Sequence, residues 1–255
     1  MTVLGILQAR VSSSRLPGKA LKPLLGQPML ARQIERLRRV EGWSKLVVAT
    51  STEAADDAIA DLCQTLDIDC HRGPLDDVLA RFWQAARAEQ ASHVVRLTGD
   101  CPLTDPALID RVIACHLASG ADYTSNCLRP SYPDGLDVEA MRWSALDVAH
   151  HEAVSIAERE HVTLFIHCRP DRFVCENIAA PEDWSALRWT VDEAEDLALV
   201  EAIYEALYPV DPAFTTADIL DWLARHPVWR SYNAGHRRNA GLDRALAAEA
   251  AQGRR

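Results

Sequence analysis

Two hydrophobic periods alternate along the first half of the chain. Residues 3–7 (Val3, Leu4, Gly5, Ile6, Leu7) form a short, nearly unbroken apolar run, as a strand buried on both faces requires. Runs at 46–49 and 94–97 have the same character, and 69–71 is a shorter strand before a Gly-Pro turn. Between these runs the period lengthens to that of a helix. Leu30, Ile34 and Leu37 share one face of a helix predicted over 29–40, and Ile59, Leu62, Cys63 and Leu66 share one over 53–66. Two more helices are predicted over 78–89 and 105–118, the latter with Pro106 in its first turn, where a missing N–H costs nothing. Strands alternating with helices across short connections predict an α/β fold, a mostly parallel central sheet flanked by helices.

After residue 120 the alternation loosens. Short strands are predicted at 123–126, 173–177 and 187–191, and helices at 144–150, 155–166, 196–207, 216–224 and 243–252, with 132–139 rich in turns. The expected organisation is one domain over 1–230, carrying an insertion around 121–186, followed by a C-terminal extension, 231–255.

The net charge of −10 argues against a nucleic-acid partner, which needs a basic footprint. Charge is unevenly spread, however. Arg10, Arg15, Lys19, Lys22, Arg32, Arg36, Arg38 and Arg39 face a single acid, Glu35, in the first forty residues, enough to hold an anionic small molecule. Seven cysteines without Cys-x-x-Cys spacing read as reduced thiols rather than a disulfide frame or a zinc site. No apolar stretch reaches membrane-spanning length, and the first residues lack a charged leader, so a cytoplasmic protein is expected.

Four segments could carry chemistry. Gln8-Ala9-Arg10-Val11-Ser12-Ser13-Ser14-Arg15-Leu16-Pro17-Gly18-Lys19 leaves the first strand at the sheet edge where α/β proteins bind ligands. Its small residues let backbone N–H groups approach phosphate, and Arg10, Arg15 and Lys19 supply charge-assisted donors. It is not a Walker loop, since Ala20 follows Gly18-Lys19 and the first glycine is missing, and Gly-x-Gly-x-x-Gly is absent too. A solvated loop with surface arginines is the plainer alternative. Arg96-Leu97-Thr98-Gly99-Asp100-Cys101-Pro102 places an acid at a strand end, either as a Mg²⁺ ligand or as a turn cap. Leu187-Arg188-Trp189-Thr190-Val191-Asp192 repeats that logic, with a helix cap as its alternative. The fourth group joins Pro133-Asp134-Gly135-Leu136-Asp137-Val138-Glu139 with Glu158-Arg159-Glu160-His161-Val162-Thr163. These are dense in hydroxyl-binding groups, yet also compatible with a hairpin turn and a solvated helix face.

In combination and order, these segments resemble the spore coat polysaccharide biosynthesis protein F family. That family is similar to the cytidylyltransferases that activate neuraminate, pseudaminate and 3-deoxy-manno-octulosonate sugars. The likeness runs from residue 3 to about 240 and includes Asn233-Ala234-Gly235-His236-Arg237-Arg238-Asn239. It implies a nucleotide-diphospho-sugar transferase fold of the glycosyltransferase-A type and transfer of CMP from CTP, or of another nucleotide from its triphosphate. The acceptor would be a sugar or a small acidic molecule, within polysaccharide precursor synthesis.

By the same resemblance, Gln8, Ala9 and Arg10 would lie against the nucleotide, with Arg15 and Lys19 on its outer phosphates. Arg96 and Thr98 would contact base or ribose, and Asp100 and Asp192 would hold Mg²⁺. Arg15, Lys19 and Asp100 would be the catalytic set. The insertion would bind the acceptor through Asn126, Asp134, Asp137, Glu139, Glu160 and His161. Related enzymes pair as dimers, which makes Arg237, Arg238 and the C-terminal helix a candidate homodimer interface. Two departures stand out: Glu193-Ala194 replaces the Thr-Pro that follows the second metal aspartate in sialate-type enzymes, and Thr-Gly-Asp-Cys replaces Gln-Gly-Asp. The rival readings are a glycosyltransferase of the same fold, whose Asp-x-Asp motif 99–102 does not supply, and a non-catalytic nucleotide-binding protein.

Overall fold

The computed structural model describes residues 1–13, 15–236, 238 and 240–252. Ser14, Arg237 and Asn239, quoted above, lie outside the described residues. The first apolar run is β1 (Val3–Gln8), followed by a short hairpin, β2 (Pro23–Leu24) and β3 (Gln27–Pro28). Then come α1 (Met29–Leu37), β4 (Lys45–Ser51), α2 (Asp57–Thr65), β5 (Asp69–Gly73), α3 (Val78–Ala88), β6 (His93–Thr98) and α4 (Pro106–Ser119). The second half holds β7 (Tyr123–Ser125), β8 (Glu139–Arg142), α5 (Trp143–Glu152), α6 (Ile156–Glu160), α7 (Leu164–His167) and β9 (Cys175–Asn177). It closes with α8 (Ala194–Leu207), α9 (Thr216–Arg225), α10 (Pro227–Arg230) and α11 (Ala240–Gln252).

Seven strands make one sheet in the order β5-β4-β1-β6-β8-β7-β9. The β5-β4-β1-β6 half is parallel throughout, as predicted. Along β1 the side chains alternate between two cores: Val3 and Leu7 pack with α1, α2 and α4 on one face, and Leu4 and Ile6 with α3 and α5 on the other. Burial on both faces is why the run reads as unbroken rather than alternating. Gly5 interrupts it because Trp43 leans on the backbone there; a Cβ would lie 2.6 Å from that ring.

Within 121–186, β7, β8 and β9 extend the sheet, with β8 antiparallel between β6 and β7. The second half corrects two expectations. The helix predicted over 155–166 is broken into α6 and α7, because Val162 takes a left-handed φ of 27° and buries its side chain completely. The strand predicted over 187–191 does not join the sheet; only a single parallel bridge links Arg188 to Asp134. Its backbone bonds go to two loops instead. Trp189 N and Thr190 N donate to Asp134 O, and Val191 N donates to Asp100 O at 2.8 Å. Gly135 permits this zip, since its φ is +105° and a Cβ there would stand 2.3 Å from Thr190 N.

The C-terminal extension folds back onto its own domain. Asn233 is buried and donates to Arg188 O at 2.9 Å, and α11 packs against α6, with Glu249 accepting from Ala157 N at 2.8 Å.

Candidate functional site

A cleft of about 800 Å³ opens at the carboxyl ends of β1 and β6. It is lined by the first loop, the loop after β6, the 134–139 loop, α6–α7, the 188–192 segment and the start of α11. The first loop is pinned from below. The buried Asp56 carboxylate accepts from Val11 N at 2.6 Å and from Ser51 N at 3.2 Å. Gly18, left-handed at φ 68°, turns the chain so that Lys19 points inward.

The Lys19 ammonium lies between the two aspartates singled out in the sequence. Its Nζ is 2.9 Å from Asp100 Oδ2, 2.8 Å from Asp192 Oδ1 and 2.9 Å from Val191 O. Burial alone would lower the Lys19 pKa, but the two carboxylates raise it, so the group stays charged. Burial would likewise raise the Asp100 carboxyl; Lys19 and a bond from Thr98 overcome it and hold the acid well below the usual carboxylate range. Arg15 adds a contact to Asp192 at 3.0 Å and one to Glu193 at 3.3 Å. Among the described residues no group of three or more His, Cys, Asp or Glu side chains is arranged to hold a metal. Mg²⁺ asks for less, one or two carboxylates completed by phosphate and water, and two carboxylates converging on one cation fit that requirement.

On the sheet floor Arg96 Nε donates to Gln8 Oε1 at 3.2 Å and its Nη1 pairs with Glu139. Glu139 also accepts from Tyr123 Oη at 2.7 Å and from Thr163 Oγ1 at 2.5 Å. Burial would raise this acid, but Arg96 and the two hydroxyls lower it and keep it ionised. Above it, Asp137 pairs with Arg238, yet burial and the nearby Asp134 and Glu139 push its carboxyl up to about 6. Asp134 is raised as well, mainly by burial.

Of the residues singled out from sequence, Gln8, Ala9, Arg10, Arg15, Lys19, Arg96, Thr98, Asp100, Asp134, Asp137, Glu139, Glu160, His161 and Asp192 all line this one cleft. Asn126 does not. It is fully buried, donating to Leu136 O and accepting from Val138 N, both at 2.8 Å, so its amide shapes the 126–138 loop and is not presented to the cleft. The Glu139 carboxylate faces the cleft but already accepts from three donors. Arg238, expected at a surface between subunits, turns inward to Tyr132 O at 3.1 Å and to Asp137.

Sequence reasoning missed Arg81 and Arg188, both nearly inaccessible and both lining the cleft. Their signal was present. Arg81 occupies an inward position of α3 beside Val78, Phe82 and Ala85, and Arg188 interrupts an apolar run between Leu187 and Trp189. A cation at a core-facing position calls for a partner or a ligand. Burial and the neighbouring Arg10 depress the Arg81 pKa to about 10, and its buried Nε has no hydrogen-bond partner among the described residues.

A family model described as cytidylyltransferase matches residues 4–205. The spore coat polysaccharide biosynthesis protein SpsF of Bacillus subtilis (strain 168) is 34% identical over 232 residues, covering 88% of this chain and 95% of SpsF. A 3-deoxy-manno-octulosonate cytidylyltransferase of Nitratidesulfovibrio vulgaris (strain DP4) is 36% identical over 120 residues, 44% of this chain and 45% of that protein. Among solved structures, a cytidylyltransferase from Leptospira borgpetersenii superimposes with a TM-score of 0.87 at 27% identity, covering 91% of this chain and 98% of that one.

Proposed function

The chain belongs to the cytidylyltransferase family, and from that premise we propose that it transfers CMP from CTP to a hydroxyl of a sugar or sugar-acid acceptor. Pyrophosphate is released, and the product feeds surface polysaccharide or glycoconjugate synthesis, in keeping with the SpsF relative. The observation that carries this reading is the meeting of Lys19, Arg15, Asp100 and Asp192 at one end of the cleft, with the 134–139 loop and α6 opposite.

The acceptor hydroxyl attacks the α-phosphorus in line with the bond to the β-phosphate. Such a transfer asks little covalent chemistry of the protein and depends on alignment and charge. Arg15 and Lys19 leave their aspartates for the β- and γ-phosphates and stabilise the departing pyrophosphate. Gln8, Ala9, Arg10, Arg96 and Thr98 hold the nucleotide, with Arg96 kept in place by Glu139. Asp134, Asp137, Glu160 and His161 line the acceptor side. Asp100 and Asp192 would hold Mg²⁺, which would supply charge neutralisation for the phosphates and polarisation of the α-phosphate.

No helix among the described residues is long and apolar enough to cross a membrane, and all seven cysteines are free, which suits a cytoplasmic setting. A homodimer is part of the reading, built on faces other than the inward-turned Arg238; light scattering on the purified chain measures it.

The test is pyrophosphate release with CTP, UTP, ATP and GTP in turn, with Mg²⁺ and a pool of sugars and sugar acids. Release selective for CTP and dependent on one acceptor is expected. Tight CTP binding with no release from any acceptor would leave a nucleotide-binding protein, and no nucleotide binding would remove the reading of the first loop.

A further inference from the structure

Arg188 is 5% exposed at its side chain, and each of its guanidinium nitrogens is engaged. Nη1 is 2.8 Å from Asp134 Oδ2, Nη2 is 3.0 Å from both Asp192 Oδ2 and Asp196 Oδ2, and Nε is 3.0 Å from Asp196 Oδ1. Four of its five N–H donors are thus directed at carboxylates. The partners belong to three different parts of the molecule: the 134–139 loop on the acceptor side, the carboxylate beside Lys19, and the first turn of α8.

Each shared carboxylate is held by one oxygen and presents the other. Asp192 gives Oδ2 to Arg188 and turns Oδ1 to Lys19 and Arg15. Asp134 gives Oδ2 to Arg188 and leaves Oδ1 facing Arg238 at 3.9 Å. Asp196 backs the arrangement. It is fully buried, accepts from the backbone of Asp192 and Glu193 at 2.9 and 3.0 Å, and receives Asn233 Nδ2 at 2.8 Å. The backbone of the 188–191 segment is zipped to the 134–139 loop through the Asp134 bridge and to the loop after β6 through Val191 N on Asp100 O.

We propose that Arg188 is a positioning residue that fixes the acceptor loop, through Asp134, at a set distance and orientation from the metal-binding carboxylate, Asp192. The inference rests on the cytidylyl-transfer reading for its kinetic consequence, and on geometry alone for its effect on metal binding. A planar fork with five donors spans three carboxylates at once; an ammonium on a flexible stem balances the charge but cannot hold them in one plane. Arg188→Lys therefore keeps a buried cation among the acids while removing the alignment.

The experiment compares wild type with Arg188→Lys after thermal unfolding has shown that the variant is folded. Three quantities are measured: Mn²⁺ affinity in the presence of CTP, by electron paramagnetic resonance, and KM for CTP and for the acceptor. Supporting groups of this kind change metal affinity or activity by roughly 10–100-fold, and a loss in that range is expected in Mn²⁺ affinity and in acceptor KM, with CTP KM little changed. A second variant, Asn233→Ala, loosens the Arg188–Asp196 pair from behind without altering the charge count or touching the cleft wall; it shows the same pattern, smaller. A folded Arg188→Lys within about twofold of wild type in Mn²⁺ affinity and acceptor KM overturns the proposal, as does an equal loss for CTP and acceptor. If Arg188→Lys does not fold, Asn233→Ala decides by the same criterion. A wild-type protein that releases no pyrophosphate from CTP removes the cytidylyl-transfer reading instead, while Mn²⁺ affinity still decides what Arg188 does.

Discussion

Lys19 and Asp192, separated by 173 residues in the chain, meet with Nζ 2.8 Å from Oδ1, and Asp100 closes the other side of the same ammonium at 2.9 Å. A lysine so placed balances two carboxylates that would otherwise repel across the cleft. It also stands where a divalent cation would have to bind. On the proposed reading, an incoming triphosphate would offer Lys19 a second set of anions and free the aspartates. Metal and nucleotide should therefore bind together, with weak Mn²⁺ affinity in the nucleotide-free protein. In Lys19→Met, Mn²⁺ should bind the nucleotide-free protein at least about tenfold more tightly while turnover falls, since a charge less than 3 Å from the site is removed. Unchanged Mn²⁺ affinity in a resonance titration would reject this ordering.

Asp100 is held ionised by Lys19 and Thr98 at the end of β6. Asp100→Asn keeps the shape and removes the charge. Turnover should fall by about 10²–10³-fold, the scale seen when one electrostatic contact to a transition state is lost. CTP affinity by calorimetry should change far less, because the first-loop cations remain. Near-wild-type turnover would exclude Asp100 from the reaction.

Asn126 separates a structural role from a binding one. Asn126→Ala strands Leu136 O and Val138 N in the interior, which costs about 2–3 kcal/mol. Urea denaturation should show that loss. If instead stability holds and only acceptor KM rises, the side chain reaches the acceptor after all.

Asp137 makes stability depend on pH. Its carboxyl titrates near 6 in the folded protein, above the ordinary 3.8, chiefly through burial and then through Asp134 and Glu139, against the opposing pull of Arg238 and Cys127. The folded state therefore holds the proton more tightly than the unfolded one, so stability is lost as pH rises from about 4 through about 6 and stays lower above that. Asp137→Asn removes this contribution but also weakens the pair with Arg238, which limits the gain to the order of 1 kcal/mol at pH 8, about 2–4 °C in Tm. Below pH 4 the two melting curves should converge. A variant less stable than wild type at pH 8 would show that the Arg238 pair outweighs burial.

Local periodicity determined the left half of the molecule. The runs at 3–7, 46–49 and 94–97 became β1, β4 and β6, and the helices between them formed within a few residues of their expected ends. Buried strands and amphipathic helices announce themselves over a single window because their own residues carry the burial pattern. The cleft was legible for a related reason: its loops leave strand ends in a parallel sheet, so fourteen of the fifteen residues singled out as candidates share one cavity.

Tertiary structure decided the rest, where a residue's partner lies far along the chain. β8 is short and ends in an arginine, and it becomes a strand only because β6 and β7 stand on either side to take its hydrogen bonds. The 187–191 run has strand composition, but Asp134 and Asp100 take its backbone bonds. Asn126, which looked like a ligand-binding amide, is consumed by a loop ten to twelve residues away. The extension after residue 230 read as a candidate homodimer interface. Asn233 and Arg238 instead find carboxylates within their own domain, 37 and 101 residues back, Asp196 behind the cleft and Asp137 on its wall. A sequence specifies which groups are charged, apolar or able to turn; which charge neutralises which is set when chain closure brings distant segments within hydrogen-bonding distance, where the cost of burying an unpaired group selects the pairing.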